Sequence, residues 1–303
     1  MPRTGERLRR RASAWPARAR SVPRFLAMAC LLLGSGLRPA QAQVLRCFPA
    51  GQLYDYRWRL LELALAHAPD GEAVRLQPYP EDITQSRSVL LLQSGAIDVL
   101  ALPTNPAREA ELLPVRIDIL KGIIGFRVLL VRRSDLSRIA RMDDATLKQQ
   151  MVFGLERDWA DLPIMLANGF KVETTTIYES LFAMLEAGRF DAFPRGLNEV
   201  YRDLAEYGKR YPDLVLEPGK ALYYPYPIYF WVNRNNLMLA HRIERGLTLA
   251  LRDGTFQKLF TSYYAQEIAI MRKAPRHVIQ VGNPNLPAGA PGPDTRWWWT
   301  PNR

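Results

Sequence analysis

From Tyr54 to Lys273 the apolar residues keep switching between two spacings: the three-to-four-residue recurrence of a helix face and the short runs of a strand. A chain patterned this way must lay helices over sheets, which is the α/β class. Tyr54, Trp58, Leu61 and Leu65 fall at i, i+4, i+7 and i+11, one helix face ending near His67. Residues 73–79 read as a strand, 82–93 as a helix capped by Asp82, and 97–102 as a short buried strand once Gly95 has ended the helix. The apolar run 123–131 is expected to carry the chain out of a first lobe.

After the polar stretch 132–144 the alternation starts afresh. Helices are expected over 145–150 and 160–168, strands over 151–154 and 171–174, then a helix through Ile177, Leu181, Met184 and Leu185 that Gly188 stops before a strand at 190–193. A helix over 197–210 and a strand at 214–217 follow. The aromatic segment 223–232 returns the chain to the first lobe, with strand pairing confined to 228–232 because Pro225 and Pro227 cannot sit in a central strand. Leu239, Ile243, Leu247 and Ala250 mark the next helix, and Asp253-Gly254 breaks it before a last helix from Thr255. The expected organisation is therefore two α/β lobes joined by two crossings. Residues 43–131 and 225–273 form lobe 1, and 132–224 form lobe 2. Residues 274–303, with Trp297, Trp298 and Trp299, form a Pro/Gly-rich tail expected to be flexible.

The first 42 residues have the order of a signal peptide. Arginines from Arg3 to Arg24 make a basic region, Phe25 to Leu33 with Leu37 a short apolar one, and Ala40-Gln41-Ala42 a cleavage site, so Gln43 is the expected mature start and the periplasm the expected location. The apolar run is too short and too interrupted by Gly34, Ser35 and Gly36 to span a membrane. Cys30 lacks the branched residue that precedes a lipid-anchored cysteine. The formal charge of +11 owes much to this segment. Removing its nine arginines and one glutamate from 41 basic and 30 acidic residues leaves 32 against 29, roughly +3. That balance has no basic stripe and argues against a nucleic-acid partner. Of the two cysteines only Cys47 lies after the leader, so no intramolecular disulfide is expected.

The order of four motifs resembles the bacterial family 3 solute-binding proteins, the amino-acid receptors of ABC importers. These motifs are Leu92-Gln93-Ser94-Gly95-Ala96-Ile97-Asp98, Thr104-Asn105-Pro106-Ala107-Arg108, Leu185-Glu186-Ala187-Gly188-Arg189-Phe190-Asp191-Ala192 and Leu251-Arg252-Asp253-Gly254-Thr255-Phe256. The resemblance implies a type II periplasmic binding-protein fold with two hinge crossings, at 118–131 and 226–232, that close a cleft on a ligand. It also implies Arg108 as the group that holds a ligand carboxylate, a contact that guanidinium geometry favours. The family spacing is Thr-x-x-Arg; here Asn105 takes the threonine's place and Thr104 stands one residue further off. In lobe 2, Arg157, Asp158 and Trp159 stand where the family has a Gly-Ser/Thr turn facing the cleft. Five residues past Asp191, where amino-acid receptors carry an aspartate for the ligand ammonium, this chain has Gly196 with Arg195 beside it. That change disfavours a zwitterionic amino acid and favours an anion held by Arg108 and Arg195.

Each candidate also has a plainer reading. Arg108 would be a surface arginine paired with Glu109 or Glu111, Arg195 an ion-pair partner of Asp191 or Glu199, and Asp158 a helix cap beside a packed Trp159. Glu199 is the residue placed to compensate for the missing aspartate. Arg87, starting a helix on the cleft side, is a further ligand candidate, and Tyr224 and Tyr226 are candidates to line the hinge. His67, His241 and His277 have no metal-ligand spacing, and neither a phosphate loop nor a Gly-x-Ser-x-Gly elbow occurs, so no metal, cofactor or catalytic group is expected. The expected function is that of a monomeric, non-enzymatic transport component that captures a small carboxylate-bearing ligand for a membrane permease or receptor. The alternatives are a dehydratase-like enzyme using Glu199 or Asp158 as base, and the sensing component of a signalling receptor.

Overall fold

The computed structural model describes residues 42–49, 51, 54–69, 73–81, 83–287 and 290. The expected leader, the capping Asp82 and the tryptophans of the tail lie outside these residues. Two sheets organise the chain. The first contains β1 (Gln43–Phe48), β2 (Val74–Pro78), β3 (Val99–Pro103), β4 (Leu112–Val115) and β10 (Ile228–Asn233), in the order β2-β1-β3-β10-β4. Strand β1 runs parallel to β2 and β3, while β10 runs antiparallel to β3 and β4. Its helices are α1 (Asp55–His67), α2 (Gln85–Gln93), α3 (Pro106–Glu111), α9 (Leu237–Arg252) and α10 (Thr255–Lys273).

The second sheet contains β5 (Phe126–Arg132), β6 (Val152–Glu156), β7 (Lys171–Thr175), β8 (Ala192–Gly196), β9 (Leu214–Tyr223) and β11 (His277–Gln280), in the order β11-β9-β5-β8-β6-β7. Helices α4 (Leu136–Ala140), α5 (Asp144–Gln150), α6 (Asp161–Ala167), α7 (Ser180–Glu186) and α8 (Val200–Tyr207) belong to it. No helix of the described residues is long and apolar enough to cross a membrane.

Strand β10 shows how period-2 patterning places the first sheet between two helical layers. Ile228, Phe230 and Val232 join the core shared with Leu61 and Leu65 of α1 and Ile243 and Leu247 of α9. Tyr229 and Trp231 face the other way, onto Val89 and Leu92 of α2. The indole N–H of Trp231 donates to the Leu102 carbonyl at 2.9 Å, which satisfies its polar atom inside the core.

The repeated Gly-x-x-Asp segments do the same job in both sheets. Gly95 and Gly188 take φ of 77° and 71°, the left-handed region where a side chain is strained, and so turn the chain out of α2 and α7. Three residues on, a carboxylate caps the neighbouring strand: Asp98 Oδ2 accepts from the Arg46 N–H of β1 and Asp191 Oδ2 from the Val152 N–H of β6, each at 2.8 Å.

The chain changes sheet at residues 116–125, between β4 and β5, and again at 224–227, between β9 and β10. The two passages are tied together. Asp118 Oδ1 accepts from the N–H groups of Leu120 and Ile228, and Oδ2 from Gly122. The Tyr224 N–H donates to the Gly125 carbonyl at 3.3 Å, and a Cβ on Gly125 would lie 2.4 Å from the Tyr224 carbonyl oxygen. Two expectations change here. Strand β5 pairs with β8 and β9 in the second sheet, so the first sheet change precedes Phe126 and does not follow Val131. An apolar run shows that a strand is buried, not which sheet buries it. The region expected as a tail from 274 begins with β11, which runs parallel to β9 and extends the second sheet by one edge strand.

Candidate functional site

Open α/β sheets expose their ligand-binding crevice at the carboxyl ends of the strands. The ends of β3 and β8, the two passages between sheets, and the starts of α1, α3 and α8 bring a set of buried charges there. Four are arginines: Arg57 of α1, Arg108 of α3, Arg127 of β5 and Arg195 of β8. Charge buried at this depth must find a partner or it destabilises the fold.

Arg195 has its partners. Its Nε donates to Asp203 Oδ2 at 2.6 Å, Nη1 lies 3.2 Å from Glu199 Oε2, and Nη2 donates to the Tyr178 hydroxyl at 3.0 Å. The rings of Trp159, Tyr178 and Phe193 lie 5.0–5.2 Å from its guanidinium carbon, in cation–π range. Burial disfavours its charge, but Asp203 and Glu199 outweigh burial and hold its pKa well above that of a free arginine. Arg127 is similarly placed. Nη2 lies 2.7 Å from Asp161 Oδ1 and Nη1 3.7 Å from Glu199 Oε2, with the rings of Tyr226 and Tyr224 at 4.7 and 5.4 Å. The Tyr224 hydroxyl donates to the same Asp161 oxygen. Arg127 Nε is sealed in without a partner.

Glu199 sits at the centre. Burial opposes its ionisation, yet Arg195, then Arg127 and Arg57, outweigh it and lower its pKa to about 2. The Gly196 N–H donates to Glu199 Oε2 at 3.1 Å, and a Cβ on Gly196 would lie 3.0 Å from that oxygen. Asn198 Oδ1, at 2.7 Å from that Cβ position, and the Glu199 carboxylate together fill the space in front of residue 196. Position 196 carries no side chain, and the acid three residues later folds back into its room.

The first-sheet arginines are held differently. Arg108 is 6 % exposed, and its Nη1 and Nη2 donate to the Pro103 carbonyl and to Gln85 Oε1, each at 2.7 Å. Arg57 is 5 % exposed, with Nη1 on the Ala101 carbonyl at 2.6 Å and the Tyr54 ring at 4.7 Å. Both groups bind neutral oxygens, and among the described residues neither has a carboxylate in ion-pair range. Burial pushes the pKa of Arg108 down, with only the Tyr226 phenol acting the other way.

The fully buried carboxylates of the described residues, by contrast, are engaged. Asp161 holds Arg127 and Tyr224, Glu199 holds Arg195 and Arg127, and Asp203 holds Arg195 and Arg202. Asp118 accepts three backbone N–H groups, and Glu217 accepts from Gly219 and Lys220. Burial alone raises the pKa of Asp118 to about 6, against the pull of those N–H groups.

The fold and this geometry can be set beside known proteins. No protein-family model matches the chain, and no curated protein does. Solved structures do. An ancestral arginine-binding protein bound to arginine superposes with a TM-score of 0.55 at 16% identity, covering 74% of this chain and 99% of that one. A periplasmic His/Glu/Gln/Arg/opine family-binding protein from Silicibacter pomeroyi in complex with lysine gives 0.56 at 13%, covering 74% and 98%. A histidine kinase sensor domain with similarity to periplasmic binding proteins gives 0.53 at 16%, covering 74% and 96%. The chain has the periplasmic binding-protein fold. It is the two-lobed α/β architecture with two hinge crossings that the motif order implied.

Within this periplasmic binding-protein fold the expected site residues separate. Thr104 is buried, its hydroxyl donating to Glu109 Oε1 at 2.8 Å, and Asn105 caps α3 by accepting the Arg108 N–H at 2.8 Å. Their task is to seat Arg108, which is not a surface partner of Glu109 or Glu111: those acids hold Arg116 and Gln93. Arg195 and Trp159 pack together in the second lobe, with Glu199 and not Asp191 as the arginine's partner; Asp191 holds Arg138. With a protein partner at each of its three nitrogens and two buried acids against it, Arg195 is not the free anion-binding group that its sequence position suggested. Arg157 and Arg87 are exposed, and α6 begins at Asp161 with Ala160 at its cap, so Asp158 does not cap it. Arg57, Gln85, Arg127 and Asp161 were not singled out from the sequence. An arginine among the apolar positions of α1 was the available sign of Arg57, since a cation on the buried face of a helix needs a reason.

Proposed function

We propose that this chain is an exported solute-binding protein whose two lobes, one built on each sheet, close over a small anionic ligand held by Arg108. Delivery to a membrane permease or presentation to a receptor follows from that closure. The observation that carries the reading is the mismatch of partners at the site. Among the described residues, the fully buried acids Asp118, Asp161, Glu199, Asp203 and Glu217 each have a cation or N–H groups, while Arg108 is buried on neutral oxygens. An anion supplied by the ligand would complete the set and give the closed state its differential affinity.

The same accounting opposes an amino-acid ligand. Glu199 and Asn198 occupy the room in front of Gly196, and Arg195 and Arg127 both lie against Glu199 Oε2, so a ligand ammonium would have to compete with two guanidinium groups for that carboxylate. It also weakens the enzyme reading, because a carboxylate with a pKa of about 2 is a poor base at neutral pH. The likeness to a histidine kinase sensor domain supports a receptor as the alternative destination of the signal.

A thermal-shift panel of small carboxylic acids and neutral amino acids tests the proposal on wild type and Arg108→Ala. The acids should raise the unfolding temperature, and Arg108→Ala should weaken their binding by more than about 1.5 kcal/mol. A neutral amino acid as tightest ligand, bound equally well by Arg108→Ala, would overturn it.

A further inference from the structure

Arg57 and Arg108 come from different helices and hang on one strand. Arg57 Nη1 donates to the carbonyl of Ala101 and Arg108 Nη1 to that of Pro103, at 2.6 and 2.7 Å. Carbonyls two residues apart in a strand point the same way, and at roughly 3.3 Å per residue they lie about 6.6 Å apart. One edge of β3 therefore presents two guanidinium groups in a row.

Both groups have lost most of their hydration, at 5 % and 6 % exposure, and both receive only neutral oxygens in return. Nearby acids do not neutralise them. Glu199 feels Arg57 but binds Arg195 at 3.2 Å and the Gly196 N–H at 3.1 Å. Asp118 also feels Arg57, and its oxygens are taken by Leu120, Gly122 and Ile228. Among the described residues neither guanidinium has a nitrogen sealed away without a partner, as Arg127 has, and each keeps N–H groups beyond the one or two that protein oxygens accept. A singly charged ligand on Arg108 would leave the second cation desolvated and uncompensated.

We infer that the ligand is a small dianion with two separated anionic groups, a dicarboxylate in its simplest form, one group on Arg108 and the other on Arg57. This rests on the anion-binding reading above and adds a specificity-determining residue, Arg57, and a ligand class to it.

Calorimetric titration of the purified protein with succinate, its half-amide succinamate and inorganic phosphate tests the inference. Wild type, Arg57→Gln, Arg57→Lys and Arg108→Gln are compared, with circular dichroism to check folding. Wild type should bind succinate at least about tenfold more tightly than succinamate, the scale of one added charge-assisted contact. Arg57→Gln should erase that preference; Arg57→Lys, which keeps the charge but loses the fork, should reduce it only in part. Arg108→Gln should weaken both acids.

Equal affinities for the two acids in wild type, or a preference that survives in both Arg57 variants, would overturn the dianion while Arg108→Gln still reports anion binding. Phosphate binding more tightly than succinate would overturn the separated-group geometry. If no acid binds wild type, or Arg108→Gln changes nothing, the anion-binding reading itself fails. Should Arg57→Gln not fold, the wild-type preference and Arg57→Lys decide between the same outcomes.

Discussion

The two sides of the site hold the same residue type in opposite ways. On the second sheet Arg127 and Arg195 are locked to Asp161, Glu199 and Asp203 under a roof of aromatic rings. On the first sheet Arg57 and Arg108 rest on main-chain carbonyls and one amide. An arginine paired with buried acids is part of the framework, and its removal strands those acids. An arginine held only by neutral oxygens keeps an unanswered charge. On the proposed reading, the difference separates residues that belong to the framework from residues that would bind the ligand.

The hardest blow to this contrast would come from Arg195. Replacing it by methionine leaves Asp203 and Glu199 buried without their main cation, and breaking such a pair costs about 3–5 kcal/mol. Urea denaturation should show a loss of this size without ligand. A mild loss in Arg195→Met together with abolished acid binding would move Arg195 to the ligand side.

Glu199→Gln sharpens the same point through pH. The folded pKa of Glu199, about 2, lies below its ordinary 4.5, so its contribution to stability is present above pH 4.5 and is lost as pH falls toward 2. Linkage sets its scale at about 3 kcal/mol. Glu199→Gln should therefore be less stable than wild type at pH 7 and approach it near the acid end, provided both still fold there. Asp118 acts in the opposite sense: with its pKa raised to about 6, its burial cost is relieved as pH falls from 6 toward 4. The difference between the two proteins at each pH isolates Glu199. A constant difference across that range would mean that its charge is not what the arginines hold.

The smallest effect is expected at Arg87. It is exposed on α2, its backbone N–H donates to Thr84, and among the described residues its side chain has no hydrogen bond. Arg87→Ala should change stability by less than about 0.5 kcal/mol and leave acid binding unchanged. A binding loss comparable to that of Arg108→Ala would extend the site onto the exposed face of α2.

Much of the fold is local and therefore legible. Helix faces, the strand at 228–232, the turns at Gly95 and Gly188 and the break at Asp253-Gly254 all follow from spacing and backbone chemistry within a few residues, and all recur in the structure. Strands β4 and β11, four residues each at sheet edges, were less legible because such short runs carry little period-2 signal, and Arg46 interrupts the apolar run of β1. The place of β5 was not local at all. Its run Phe126–Arg132 is apolar on both faces, which suits either sheet, and pairing with β8 and β9 some 60–95 residues later settled it.

By itself the sequence determined an α/β chain with two alternating halves, and it determined that position 196 has no carboxylate to offer a ligand amine. Only the tertiary structure decided that Glu199 folds back into that space, that Arg195 is spent there, and that Arg57 and Arg108 share the edge of β3 without an acid between them. The physical reason is range. Period and turn chemistry act over a few residues, whereas the worth of a buried charge depends on which side chain reaches it from a distant segment, and 51 residues separate the two arginines whose pairing matters most.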